Sequence, residues 1–275
     1  MPTRLTVTGR AALTDHLVRV TFEGDLAAFA DSTDTDRYVK LIFAPAGTEL
    51  TETTDLRRLQ ATLPPEQVPV VRTYTVRQLD VARGTLAIDF VVHGDEGIAG
   101  PWAASVEPGA VLFVNGPGGA YAPDPEADAH LLVGDESALP AIAAAVEALP
   151  ADARGHVYVE VAGPGDELPL PVPAGVELRW LHRGASSFAT DLVGERSPIV
   201  EAVRALAADG WPAGRVQVFV HGEGDAVMHQ VRPLLKAQGV ARGDLSVSAY
   251  WRRGRTEEGF RVWKQDLAKA EAAGA

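Results

Sequence analysis

The chain has 275 residues, 46% of them hydrophobic, no cysteine and a formal net charge of −12. That length suits two domains of ordinary size, each with its own core. The absence of cysteine excludes structural disulfides, thiolate zinc sites, iron–sulfur clusters and a cysteine nucleophile, and the acidic balance argues against a nucleic-acid binder that neutralises phosphates.

The first half reads as β structure. Strands are expected at Arg4–Gly9, Leu17–Phe22, Tyr38–Phe43, Val70–Leu79, Thr85–His93 and Ala110–Gly116, parted by clusters of Gly, Pro and Asp. About six short strands at this spacing predict a small antiparallel β-barrel. Thr48–Pro65 is polar, with one short helical possibility, and is expected as a surface loop. The opening stretch Met1–Thr8 is strand-like rather than an apolar signal, and no apolar run reaches the roughly 18 residues a bilayer span needs. A cytoplasmic protein without stable membrane insertion is therefore expected.

Composition breaks at Pro123–Asp128, and beyond it strands alternate with helices. The expected order is strand His130–Val133, helix Ala138–Leu149 starting near Glu136 or Ser137, strands His156–Ala162 and Val176–His182, and helix Pro198–Ala208. Strand Val216–His221, a helix from Ala226 interrupted at Pro233, strand Leu245–Tyr250 and a charged helix over Glu257–Ala272 complete it. Such alternation is the pattern of a parallel sheet covered by helices. The predicted fold is a six-stranded antiparallel β-barrel over residues 1–127, followed by a parallel-sheet α/β domain over residues 128–275.

Within the strand Val70–Leu79, Arg72 and Tyr74 point to one face and Thr73 and Thr75 to the other. A fixed cation beside a flat aromatic suits a ligand that carries both a phosphate and a ring system. The alternative is an ordinary strand with one exposed arginine. Further on, Gly134-Asp135-Glu136-Ser137-Ala138-Leu139-Pro140 lies where a strand gives way to a helix, the place where open α/β sheets hold a dinucleotide pyrophosphate. Asp135 and Glu136 would repel that group unless they turn aside or cap the helix. The loop His221-Gly222-Glu223-Gly224-Asp225 follows another strand and should line the same crevice. The densest positive cluster is Arg252, Arg253 and Arg255, beside Trp251.

Six stretches in fixed order resemble the siderophore-interacting protein family, flavin-dependent ferric-siderophore reductases related to the ferredoxin reductases. They are Tyr38–Leu41, Arg72–Thr75, Asp89–Gly94 leading to Gly100–Ala103, Gly116–Gly119, Gly134–Pro140 and Tyr250–Arg255. The resemblance covers residues from about 38 to about 264 and implies a ferredoxin-reductase-like fold with FAD and NAD(P)H as cofactors. It places Arg72 on the FAD pyrophosphate, Tyr74 against the isoalloxazine and Thr75 near its reactive nitrogen, with Thr73, Asp89 and His93 in the same site. A second phosphate cradle is implied at Gly97–Trp102, where Gly97, Ala99, Gly100, Trp102 and Ala103 surround the first turn of a short helix begun by Pro101. Gly100 departs from the Ser or Thr of many relatives.

For NAD(P)H the resemblance points to Gly134, Asp135, Glu136, Ser137 and Ala138, with Gly222, Glu223 and Trp251. His182 and Arg183 are expected near the adenosine ribose or its 2′-phosphate. Where ferredoxin reductases carry a Cys near the nicotinamide, this chain has His221. For the substrate, a ferric siderophore that is often anionic, the resemblance implies docking by Lys40 and Arg252, then Arg253, Arg255 and Lys264, against the repulsion of the whole chain. Arg253 and Arg255 could instead pair with Glu257 and Glu258. No protein ligand to a metal and no catalytic acid or nucleophile is implied, since cofactor placement does the work. A monomer is expected, and no nucleic-acid partner. Two other readings stay open: a flavin reductase serving a protein partner, and a siderophore carrier without redox chemistry.

Overall fold

The computed structural model describes residues 1–94, 97–255, 259–260, 262–263, 266–267 and 269 of the chain. These divide into two compact units, Met1–Ala122 with Ala143–Ala148, and Pro123–Ile142 with Leu149–Ala275.

Strands rich in β-branched and aromatic residues build the first unit: β1 (Thr3–Ala12), β2 (Leu17–Gly24), β3 (Tyr38–Phe43), β4 (Val70–Asp80), β5 (Thr85–Val91) and β6 (Val111–Gly118). They close into a barrel in the order β1-β2-β5-β4-β3-β6, antiparallel at every seam. Alternation sends Leu5, Phe22, Val39, Leu41, Ile88 and Phe90 into its core. The short helical possibility in the polar stretch forms α1 (Leu56–Thr62), whose first amides are capped by the Asp55 carboxylate. Helix α2 (Ala99–Ser105) follows β5 and buries Ala99 and Ala103. Between them the Trp102 ring lies 6.3 Å from Phe22, 5.6 Å from Phe43 and 5.7 Å from Phe90, centroid to centroid. That aromatic contact fixes α2 to the barrel.

The second unit runs β7 (Ala129–Asp135), α3 (Leu139–Ala148), β8 (Arg154–Val161), β9 (Gly175–His182), α4 (Pro198–Asp209), β10 (Val216–Glu223), a π-helix (Asp225–Val231), α5 (Arg232–Ala237) and β11 (Leu245–Trp251). The five strands are parallel in the order β11-β10-β7-β8-β9. Every residue of β7 is buried, as a central strand covered on both faces requires. The chain leaves β7 in one direction through β8 and β9, then returns to its other side with β10. The topological switch point therefore lies between β7 and β10, at their C-terminal ends. The expected interruption at Pro233 is not a break. The backbone widens into the π-helix just before it, and Pro233 then takes a place in the first turn of α5, where its lack of an N–H costs little. Residues 259–260, 262–263, 266–267 and 269 are helical, within the span expected for the last helix. Glu257, Glu258 and Lys264 lie outside the described residues.

Three carboxylates crowd the C-terminal ends of β7 and β8 around one guanidinium. Arg183, 6% exposed, donates to both oxygens of Glu136 at 2.7 and 2.9 Å and to Glu160 at 3.3 Å. Glu160 also accepts from the Ser197 hydroxyl at 2.6 Å and the Ile199 amide at 3.2 Å. Burial outweighs these donors and the Arg183 charge, with Asp135 adding repulsion, and pushes the Glu160 carboxyl up to about 7. Burial likewise raises Glu136. A proton held by Glu160 in the fold but lost from the unfolded chain above its ordinary value near 4.5 makes its contribution complete at acid pH. That contribution fades as pH rises through 7 and amounts to at most about 3 kcal/mol. Urea unfolding of the wild type should therefore lose stability from pH 5 to pH 8 more steeply than Glu160→Gln. Parallel pH profiles for the two proteins would refute the assignment.

Candidate functional site

On β4, Arg72 pairs with Leu41 of β3 in the ladder and Tyr74 with Val39. Tyr74 packs on Phe90 at 4.6 Å with the rings inclined by 36°, so one of its faces is braced by the barrel core. Thr73 is exposed, while Thr75 is 6% exposed beside buried Val76. The expected alternation is thus interrupted next to Thr75, and the ladder to β5 shifts register between Val76 and Gln78.

The turn after β5 supplies the second element. Gly97 sits at φ +79°, which favours glycine, and a Cβ at Gly100 would come within 3.0 Å of the Val91 carbonyl oxygen. A Ser or Thr there would need the Val91 carbonyl to give by a few tenths of an ångström. Ala99 and Ala103 are buried, and Trp102 packs against the barrel core while staying partly exposed. Asp89 is 4% exposed, and its two oxygens accept from Arg19 of the adjacent strand at 2.6 and 2.8 Å. It holds β2 to β5 by a bidentate pair, a structural task, and His93 lies half-buried beyond it. A cation, a braced aromatic face, a buried hydroxyl and a glycine turn form a donor set whose chemistry fits FAD: Arg72 for phosphate, Tyr74 for the ring system, Thr75 for a ring nitrogen.

The loops at the switch point are tied to one another. Asp135 accepts from the Ser137 amide at 2.9 Å and from its hydroxyl, which closes the turn leading into α3. Its other oxygen accepts from the Glu223 amide at 2.9 Å and from the Trp251 indole at 2.8 Å. Gly222 is required here, since its φ is +148° and a Cβ would meet that carboxylate at 2.7 Å. Helix α3 begins at Leu139, one residue after the expected Ala138; Asp135 holds the turn before it, and Glu136 turns aside to Arg183. Arg183 is occupied with Glu136 and Glu160, a placement that suits charge neutralisation rather than contact with a 2′-phosphate. His182 lies against Glu167 at 2.7 Å. His221, 4% exposed, stacks on Phe219 at 3.9 Å and contacts the Ser246 hydroxyl at 3.0 Å. The crevice has the position for a nicotinamide dinucleotide, and acidic side chains fill much of its donor set.

The arginine cluster is less free than its sequence suggests. Arg252 lies 3.5 Å from Glu223 and 3.4 Å from Asp225, with its guanidinium 5.1 Å from the Trp263 ring centre. Arg253 stands 5.9 Å over the Trp251 ring and donates to the Ser187 carbonyl. Lys40 on β3 and Arg255 are exposed, and no ion pair of either is found among the described residues. Sequence reasoning missed Glu160 and Phe188. Glu160 betrays itself as a carboxylate inside the apolar run Val157–Val161. Phe188, 45% exposed and 5.5 Å from Trp251, is a lone aromatic in a polar loop.

Comparison with known proteins agrees with this geometry. Residues 6–121 match the family model of the siderophore-interacting FAD-binding domain, and residues 127–254 that of the siderophore-interacting protein. An uncharacterized protein of Mycobacterium tuberculosis is 49% identical over 94% of this chain and 93% of its own. The ferric vibriobactin reductase ViuB of Vibrio cholerae is 33% identical over 89% of this chain and 87% of its own. Among solved structures, a siderophore utilization protein from T. fusca is 38% identical, covers 93% of this chain and 94% of its own, and superposes with a TM-score of 0.75. The ferredoxin reductase of carbazole 1,9a-dioxygenase is 20% identical, covers 91% of this chain and 70% of its own, and shares the fold with a TM-score of 0.66. The barrel is an FAD-binding domain, the parallel sheet is of the ferredoxin-reductase type and consistent with NAD(P)H binding, and the chain belongs to the siderophore-interacting protein family.

Proposed function

We propose that this protein is a ferric-siderophore reductase that passes electrons from NAD(P)H through FAD to Fe(III) in a bound siderophore, releasing Fe(II) for iron acquisition. The observation that carries the reading is the pairing, in one chain, of an FAD-type donor set on β4 and α2 with a parallel sheet whose switch point lies between β7 and β10. The likeness to ViuB, named as a ferric vibriobactin reductase, supports it. A cysteine-free chain suits a reducing cytoplasm, and we read the protein as a monomer there. Among the described residues no helix is long and apolar enough to cross a membrane.

FAD, when bound, supplies acceptance of a hydride and release of electrons one at a time. The residues of the chain bind and orient. Arg72 offers forked donors to a phosphate, Tyr74 presents a ring face held in place by Phe90, and Thr75 contributes a hydroxyl from a nearly dry position. Lys40 and Arg255 offer exposed positive charge to an anionic chelate, while Arg252 and Arg253 contribute charge already shared with Glu223, Asp225 and Trp251. No protein ligand to iron is needed, because the chelate brings its own.

Anaerobic titration of the purified yellow protein with NADH and NADPH, with a ferrous-specific chelator reporting iron release, tests the reading. A protein that neither carries nor takes up flavin would leave the carrier alternative. Arg72→Ala should lose a charge-assisted contact of about 1.5–3 kcal/mol and weaken FAD roughly ten- to a hundred-fold, measured by equilibrium flavin release. Lys40→Ala should raise the KM for an anionic ferric siderophore, with flavin bleaching by NAD(P)H unchanged. Arg252→Ala should raise it less, because two carboxylates already screen that charge. An identical effect of both would contradict this ranking. Arg183→Ala should lower stability by several kcal/mol through an unpaired buried carboxylate and leave the NADPH-to-NADH preference unaltered. A selective loss of NADPH would instead place Arg183 at the 2′-phosphate.

A further inference from the structure

The C-terminal ends of the parallel sheet are spanned from both sides. From one edge Trp251, the last residue of β11, leans across β10, and its indole reaches the Asp135 carboxylate at the end of β7. From the other edge the segment after β9 sets out over β8, where Arg183 reaches Glu136 and Glu160. The two meet at the switch point: the Phe188 and Trp251 rings lie 5.5 Å apart, inclined by 43°, and Arg253 donates to the Ser187 carbonyl. Strands β9 and β11 are opposite edges of the sheet, with β8, β7 and β10 between them. A contact between Phe188 and Trp251 therefore closes a bridge of chain over the ends of those inner strands, where the turn between β7 and α3 lies. The two halves of the bridge are held differently. Trp251 is fixed by Asp135. Residues 184–193 form neither strand nor helix, and Phe188 and Leu192 are 45% and 38% exposed. Gly184 at φ +77° and Gly194 at φ +56° bound the segment, and Ser197 beyond it is anchored on Glu160 at 2.6 Å. An irregular, exposed segment set between glycines and tied at its ends is suited to swing while its surroundings stay in place.

We propose that Phe188 and Trp251 form a clasp over the hydride-donor crevice, which the nicotinamide dinucleotide parts before its pyrophosphate settles on the turn between β7 and α3. The inference rests on the reading of the switch point as the NAD(P)H site. Closed, the clasp takes the space above that turn, so the affinity observed is the intrinsic one reduced by the fraction of protein that is open. Phe188 is then a gating residue that touches no reacting atom. The contrary role, a ring that stacks on the bound dinucleotide, has the opposite sign. Removing a clasp tightens binding, whereas removing a stacking partner weakens it.

The test measures binding of ADP-ribose, which carries the pyrophosphate, to the FAD-loaded protein by calorimetry, and anaerobic flavin bleaching by NADH in stopped flow. Thermal melting confirms that each variant is folded. Phe188→Ala should bind ADP-ribose about two- to tenfold more tightly than the wild type, the factor that corresponds to one aromatic pair. The NADH concentration that half-saturates bleaching should fall by the same factor, with the limiting rate of bleaching unchanged. Phe188→Tyr keeps the ring and should behave as the wild type in both measurements. Equal ADP-ribose affinity in folded Phe188→Ala and wild type, while NADH still bleaches the flavin, overturns the proposal and leaves the nicotinamide site standing. Weaker binding by Phe188→Ala also overturns it and makes Phe188 a contact of the dinucleotide. Absence of both ADP-ribose binding and flavin bleaching in every protein removes the site and the proposal together.

Discussion

The Asp135 carboxylate joins three segments that are far apart in sequence. It receives the Ser137 amide in the turn before α3, the Glu223 amide at the end of β10 and the Trp251 indole at the end of β11. With 3% exposure it has little water to fall back on, so each of those donors is needed to keep it buried. The consequence reaches outward. Trp251 is held upright for Phe188 and Arg253 to pack on, and Glu223 is placed where its own carboxylate gathers the next set of amides. The loops of the switch point are therefore a single hydrogen-bonded unit rather than separate flexible turns.

The barrel solves a different problem, holding a helix against a sheet without any such polar knot. Trp102 does this through contact with three phenylalanines. Tyr74 leans on Phe90, which also touches Trp102, so the aromatic face on β4 and the glycine turn share one support. Asp89 and Arg19 lock the neighbouring strands by a bidentate pair. A site built on such packing is presented by rigid elements, which is what cofactor placement demands.

Electrostatics divides the two units. The chain carries −12 overall, and in the second unit two arginines at the ends of the strands are engaged by its own carboxylates: Arg183 by Glu136 and Glu160, Arg252 by Glu223 and Asp225. Buried or half-buried pairs of this kind shape loops and contribute little attraction at a distance, and at Glu160 the cost of burial outweighs the pairing and raises the carboxyl. Lys40 and Arg255 remain exposed, and their charge reaches about 10 Å at ordinary ionic strength.

Much of this was legible in the residues. Alternation of apolar side chains and Gly, Pro and Asp punctuation located all eleven strands to within a few residues, with Tyr38–Phe43 matching at both ends, because strand formation answers to a local period of two. Strand–helix alternation indicated the parallel sheet, and motif order indicated the family. Tertiary structure decided the rest. Whether Arg183 meets a ligand or Glu136, and whether the Arg252 charge is free or shared with Glu223, depends on strands brought side by side from dozens of residues apart. Trp102 belongs to the barrel core because Phe22, Phe43 and Phe90 converge on it from three strands. The backbone before Pro233 widens rather than breaks because the helix is packed on both sides of it. Local pattern determines which residues form an element and which way they face; partners of charge and contact are set only when the chain has folded, since they are supplied by distant sequence.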